Sequence, residues 1–218
     1  MTADEEDGAR TRELERQLAL RDALLRQVLT QRGEALLSWL EEARARAFEA
    51  AQARRRDPAT GLLRHGYFRT RLAFEVDRGQ RAQEPLGLVL LDLDGFATLN
   101  RVAGYERGEE ALGLVGGSLP ALWIARPSRR PPVLGREGGD SFGVILPGEG
   151  RAETAARAEE IWRLVDSLSL GTQRLSASVG AIAFTSRLLQ ADKLLAITYL
   201  ALERARRQGG NQVVFEEL

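Results

Sequence analysis

The chain has 218 residues, 44% of them hydrophobic, which suits one globular domain with an appendage or two small domains. Lysine plus arginine equals aspartate plus glutamate at 31 each, so the basic excess that marks a nucleic-acid partner is absent. There is no cysteine and His65 is the only histidine, which excludes disulfides, thiolate metal sites and histidine-rich zinc sites.

The N-terminal stretch MTADEEDGARTRELER is acidic and then mixed, without the apolar core of a signal peptide. No apolar run approaches the ~20 residues of a membrane helix. A cytoplasmic protein without a membrane anchor is the simplest expectation. Residues 11–56 contain no proline and one glycine, Gly33, and are rich in good helix formers. Apolar residues recur at Leu14, Leu18, Leu25 and Val28, then at Leu29, Leu36, Leu40, Ala43, Ala47 and Ala50. These spacings predict a heptad seam whose phase slips near Gly33, as one helix with a stutter or as two helices joined there. So narrow a stripe needs a partner, either a second copy of the chain or its own domain.

Asp57-Pro58 breaks the helix, because proline disfavours helical geometry in the residue before it. The first 56 residues are therefore expected to form a helical dimerisation or signalling segment, and residues 57–218 a separate domain. Within it, helices are predicted over 66–82, 106–123, 151–168 and 191–207. The continuous apolar run Leu86–Leu93 reads as a strand buried on both faces. Val133–Arg136 and Ser141–Leu146 read as a hairpin around Glu137-Gly138-Gly139-Asp140. Leu175–Phe184 and Gln212–Phe215 complete the strands. The order predicts an α/β fold with one central mixed sheet flanked by helices.

Two acidic features carry the chemistry. Asp92 and Asp94 end the apolar strand on the face opposite Leu91 and Leu93. Carboxylates at the end of a buried strand are costly unless they meet a cation or hydrogen-bond donors. Gly138-Gly139-Asp140 forms the hairpin tip, where paired glycines let backbone approach a ligand. If the two strands are neighbours, Asp92 and Asp140 converge beside glycine backbone, which suits a metal-bound triphosphate. A solvated strand end and an ordinary turn are the plainer alternatives.

Six blocks in order resemble the GGDEF family of diguanylate cyclases. Asp57-Pro58-Ala59-Thr60-Gly61-Leu62 is similar to its opening D-x-L-T-G-L, and Asp92-Leu93-Asp94-Gly95-Phe96 to its D-x-D-x-F. Asn100, Gly104, Gly108 and Glu109 fall on N-D-x-x-G-H-x-x-G-D. Arg136-Glu137-Gly138-Gly139-Asp140-Ser141-Phe142 resembles the signature R-x-G-G-D-E-F. Ser178-Val179-Gly180 and Ala205-Arg206-Arg207-Gln208-Gly209-Gly210-Asn211 match S-I-G and A-K-x-x-G-R-N.

The resemblance implies the palm-type nucleotidyl-cyclase fold. It implies Asp92, the carbonyl of Leu93 and Asp140 as ligands of Mg²⁺ or Mn²⁺, with Asp140 in the catalytic loop. Phe96, Asn100, Glu109, Gly138, Gly139 and Arg206 fall at nucleotide-binding positions. The departures imply impairment. Ser141 replaces the signature glutamate, Ala97 a lysine, Arg101 an aspartate, Tyr105 a histidine and Gly210 a phosphate-contacting arginine. In the family's inhibitory motif R-x-x-D, Arg129 is present but Pro132 stands for the aspartate, so cyclic di-GMP binding there is expected to be weakened. His65, where the family has arginine, reads as a loop surface residue. Trp39 reads as a contact of the N-terminal helix, and Trp123 and Trp162 as core.

The resemblance together with these losses implies a catalytically inactive or strongly impaired domain. It would act as a homodimer with a protein partner and bind GTP weakly. Two alternatives stay open: a slow active diguanylate cyclase, and a GTP-binding switch that does not cyclise.

Overall fold

The computed structural model describes residues 53–184 and 190–216, with residues 20, 21, 30, 39, 40, 42–44, 46 and 51 of the N-terminal segment. The chain divides into two compact units, Met1–Gln52 and Ala53–Leu218. The described residues of the first unit are helical, and Arg46 pairs with Glu42 one turn earlier at 2.9 Å. Apart from Leu40 and Ala43, the heptad positions and the slip near Gly33 lie outside the described residues.

The second unit is an α/β sandwich on a six-stranded mixed sheet. Its strands are β1 (Leu63–Arg64), β2 (Leu86–Leu93), β3 (Val133–Gly138), β4 (Ser141–Pro147), β7 (Ala177–Phe184) and β8 (Val213–Glu216), in the order β1-β3-β4-β2-β7-β8. The inner pairs β3/β4, β4/β2 and β2/β7 are antiparallel, and the outer pairs β1/β3 and β7/β8 are parallel. A two-residue ribbon, β5 (Ser169–Leu170) with β6 (Gln173–Arg174), stands apart.

Strand β2 is buried along all eight residues, and its alternation sorts two cores. Val89, Leu91 and Leu93 face one core. There they meet α2 (Phe96–Ala103), α3 (Tyr105–Ser118), α4 (Ala121–Ala125) and α5 (Arg151–Ser167) through Leu99, Leu112, Trp123 and Ile161. Leu86, Leu88 and Leu90 face the other core. That side is covered by α1 (His65–Ala82) and α6 (Ala191–Arg207) through Phe68, Leu72, Leu194 and Leu202. Burial of this kind stabilises by roughly 25 cal/mol per Å² of apolar surface.

One position brings α6 hard against the sheet. A side chain at Gly180 of β7 would lie 2.6 Å from the Thr198 carbonyl and closer still to the amide of Leu202. Only glycine lets the helix backbone come this near.

The sequence-based elements hold with shifted ends. The expected helix over 106–123 is two helices, α3 and α4, parted at Leu119–Pro120. Proline supplies the φ of a new helix start and cannot donate to the old one. Helix α2 and the short strands β1, β5 and β6 carry too little periodicity to be read in advance. Trp123 is buried, and Trp162 is half-buried with Nε1 donating to Asn211 Oδ1 at 3.0 Å.

Candidate functional site

Asp92 continues the series Leu86, Leu88, Leu90, so the strand that builds the core also delivers a carboxylate to the end of the α1/α6 face. It is only 2% exposed. In the antiparallel register Asp92 lies opposite Ser141 of β4 and opposite Ser178 of β7. The Ser141 hydroxyl donates to Oδ1 of Asp92, and the Arg206 guanidinium pairs with Oδ2. Asp94, just past the strand, takes a hydrogen bond from the Ser178 hydroxyl at 2.7 Å and one from the Asn211 amide at 2.9 Å.

The Gly138-Gly139-Asp140 tip joins β3 to β4, with a register shift between Arg136 and Gly138. Gly139 has φ +51° and Gly138 φ +152°, backbone that side chains with a Cβ rarely adopt. The tip is held from outside. Arg136 donates through Nε and Nη2 to the Gly139 carbonyl at 2.9 and 2.6 Å, and through Nη1 to both Asp57 oxygens at 3.2 and 3.1 Å. The Thr60 amide and hydroxyl complete the shell of Asp57. Burial alone would raise the Asp57 carboxyl, but the Thr60 hydrogen bonds and Arg136 outweigh it and hold it below its ordinary range. Thus the first block after the N-terminal segment is bolted to the signature hairpin.

Asp140 is half-buried, and the Leu93 amide donates to its carbonyl at 3.4 Å. Burial pushes its carboxyl up, against the opposing pull of its own backbone N–H and of Arg136. The structure therefore brings Asp92, Leu93, Asp140 and Ser141 together at one sheet end, joined by Arg206 of α6.

Asn100 and Glu109 sit on the neighbouring helices α2 and α3. The Asn100 side chain lies directly over Gly108, where any Cβ would strike it and the Phe96 ring. Its Oδ1 is buried without a hydrogen-bond partner, an acceptor that costs free energy until a donor arrives. Glu109, the next residue after Gly108, is exposed. A cavity of about 360 Å³ opens beside Asp94, Gly95, Thr98, Leu99, Val102, Ala103 and Gln173.

The inhibitory-motif positions are drawn elsewhere. Arg129 is exposed, while Arg130 pairs with Glu84 at 3.0 Å. Pro132 lines a cavity of about 410 Å³ with Arg56, Arg71 and Pro120.

His65 is exposed, as expected, but not in a loop. It opens helix α1, and its Nδ1 contacts the Glu137 carbonyl and lies 3.4 Å from the Glu137 carboxylate. Sequence reasoning also missed Glu137 itself. Its side chain is fully buried behind the hairpin and accepts from Arg69 at 2.7 Å and from the Tyr199 hydroxyl at 3.3 Å.

A divalent cation does not suit this arrangement. Of the expected ligands, Asp92 has both oxygens engaged by the chain's own donors, as has its neighbour Asp94, which leaves Asp140 to meet a cation alone. Among the described residues, no three acidic or histidine side chains gather closely enough to hold a metal ion. Mg²⁺ asks for several oxygen donors in near-octahedral order, and the buried charge here is already neutralised by a guanidinium.

The family model described as diguanylate cyclase, GGDEF domain, matches residues 54–212. Among curated proteins, the probable diguanylate cyclase DgcT of Escherichia coli K12 is 26% identical over 169 residues, covering 75% of this chain and 36% of DgcT. The chain thus spans about a third of the length of such relatives. The coiled coil and GGDEF domain of DgcB from Caulobacter crescentus, solved with cyclic di-GMP, superposes with a TM-score of 0.76 at 22% identity, covering 86% of this chain and 99% of that one. Diguanylate cyclase SiaD of Pseudomonas aeruginosa, solved with its activator SiaC, gives a TM-score of 0.70 at 25% identity over 98% of this chain and 82% of that one.

Proposed function

The chain belongs to the GGDEF family of diguanylate-cyclase domains, and on that premise we propose that it is a degenerate member, catalytically inactive or strongly impaired, serving cyclic di-GMP signalling through protein contacts. One observation carries this reading. Where the signature has a glutamate, Ser141 offers a hydroxyl that donates to Asp92 instead of a carboxylate that shares a cation with it. Two cations and a triphosphate need anionic ligands, and removing such a group commonly costs ~10²-fold or more in rate. Ala97 and Gly210 remove further cationic groups from the same ligand path.

In this reading residues 1–56 form the dimerisation or signalling segment, residues 57–218 the GGDEF domain, and the setting is cytoplasmic. No helix among the described residues is long and apolar enough to cross a membrane. The likeness to SiaD, which was solved with an activator protein, supports a protein partner here. Guanine nucleotide binds weakly, through Asn100 and Glu109. Cyclic di-GMP finds only Arg129 at the inhibitory motif.

A second reading, a slow diguanylate cyclase, draws support from the hairpin. The signature glycines keep their positive φ, and the Asp57–Arg136–Gly139 tether holds the tip in place. Such an enzyme would join two GTP molecules held on facing domains, which the N-terminal segment would bring together. The discriminating experiment incubates the purified chain with GTP and Mg²⁺, then with Mn²⁺, and separates the nucleotides by chromatography. Unchanged GTP is expected. Cyclic di-GMP formed at a rate that Asp92→Ala abolishes would replace the first reading with the second. Bound but unconverted GTP at low concentration would point to a nucleotide switch built on the free acceptor of Asn100.

A further inference from the structure

We infer that Arg206 is the resident counter-ion of Asp92, and that the acidic end of β2 is closed by this chain's own closing segment and takes no divalent cation. The inference rests on the reading of the domain as degenerate and extends it to a specific substitution of a metal by a side chain.

The placement follows from helix geometry. Thr198 and Leu202 press α6 against Gly180 of β7. Residues four apart share a helix face, so Arg206 emerges one turn beyond Leu202 on that same sheet-facing side. Gly180 pairs with Leu90 across the β2/β7 register, and Ser178 pairs with Asp92. One helical turn along α6 therefore carries the chain from above Leu90 to above Asp92.

The chemistry of the pair fits a permanent occupant. Asp92 is 2% exposed, and a carboxylate so deeply buried requires a charge partner. A guanidinium stays charged at every accessible pH and is less strongly hydrated than an ammonium, so it suits a desolvated pair where a lysine would more readily leave for water or phosphate. Glu203 holds the other side of the guanidinium, with Nη1 to Oε1 at 2.8 Å. Ser141 caps the remaining Asp92 oxygen.

The rest of the closing segment turns the same way. The Asn211 amide donates to Asp94 at 2.9 Å. Gly210, at φ +73°, lies so close to Asp94 that an added Cβ would sit 3.1 Å from its carboxylate. Groups that could meet a phosphate thus spend their donors on the two aspartates.

The test is Mn²⁺ binding to the full chain, read from the electron paramagnetic resonance signal of free Mn²⁺. Wild type, Asp92→Asn, Arg206→Met and the double variant are compared, with folding checked by circular dichroism. Wild type and Asp92→Asn are expected to bind Mn²⁺ equally poorly. Arg206→Met is expected to gain about 10- to 100-fold in affinity, the range over which partners of metal ligands act, and the double variant to lose that gain. Mn²⁺ bound by wild type and lost in Asp92→Asn would overturn the inference, even if Arg206→Met fails to fold. A folded Arg206→Met without any gain would overturn it as well. Metal binding without cyclic di-GMP formation would sink the counter-ion inference alone and leave the degenerate reading standing, whereas product formation would sink that reading.

Discussion

Ser141 and Asp92 face each other across β4 and β2, and the serine hydroxyl donates to the aspartate. A glutamate in that place would set a second carboxylate against one that is almost fully buried, an arrangement that needs a cation between them or a proton on one of them. Serine removes both the repulsion and the reason for a cation. Ser141→Glu is accordingly expected to destabilise the fold by about 1–3 kcal/mol in chemical denaturation, and to produce no cyclic di-GMP. Arg206 still lies on Asp92, and the losses at Ala97 and Gly210 remain. A gain of ~10²-fold or more in cyclic product would instead locate the whole defect at Ser141.

The bolt between Asp57 and Arg136 makes a pH-dependent contribution to stability. The folded Asp57 carboxyl is held below its unfolded value. Its contribution is therefore complete above the ordinary carboxylate pKa and is lost as pH falls through the depressed folded value. Asp57→Asn should cost about 1–3 kcal/mol at neutral pH. The difference from wild type should shrink steadily below about pH 4, as urea titrations at stepped pH would show. A difference that stayed constant into acid would mean that the charge of Asp57 contributes nothing.

Asp140 behaves in the opposite sense. Burial raises its folded carboxyl, so the stability associated with its proton is present below the unfolded pKa and disappears as pH rises through the folded one. Asp140→Asn should then be more stable than wild type at neutral pH, with the advantage vanishing in acid. Thermal unfolding at several pH values measures this. A variant less stable than wild type at pH 7 would show that the ionised carboxylate has a partner at the tip.

Much of this was legible in the residues. The apolar run at Leu86–Leu93, the glycines of the hairpin and the six ordered blocks fixed the sheet and the place where Asp92, Asp140 and Ser141 meet. What the blocks did not reveal was how the side chains spend their donors. Arg206 stands where a phosphate contact was expected and pairs with Asp92, because pairing depends on how closely α6 approaches β7, which depends on Gly180. His65 and Glu137 are 72 residues apart in sequence, and only the parallel pairing of β1 with β3 brings them together. Helix α2 went unread because eight residues give barely two turns of periodicity.

Behind the hairpin, Arg69 is the main charge partner of Glu137, whose Oε2 finds no hydrogen bond. Removing the guanidinium leaves a fully buried carboxylate with the Tyr199 hydroxyl as donor and His65 Nδ1 3.4 Å away, but without its arginine. Arg69→Met is expected to cost about 3 kcal/mol, and Glu137→Gln less, because the amide carries no charge. The double variant should recover part of the loss. Additive effects in that double-mutant cycle would show that the pair is not coupled.

Gly180 ties the packing to the chemistry. An added methyl would meet the Thr198 carbonyl at 2.6 Å and crowd the Leu202 amide. Both are helix backbone, which cannot swing aside as the end of a long side chain can. Helix α6 must therefore lift from β7, at a cost of about 1–3 kcal/mol or more. Because Arg206 lies one turn past Leu202, the lift also draws the guanidinium away from Asp92. Gly180→Ala should thus lower the denaturation midpoint and, in the folded protein, admit Mn²⁺ at Asp92 more readily than wild type does. A variant that lost stability but left Mn²⁺ binding unchanged would separate the two roles and show that Arg206 holds Asp92 independently of how closely the helix sits.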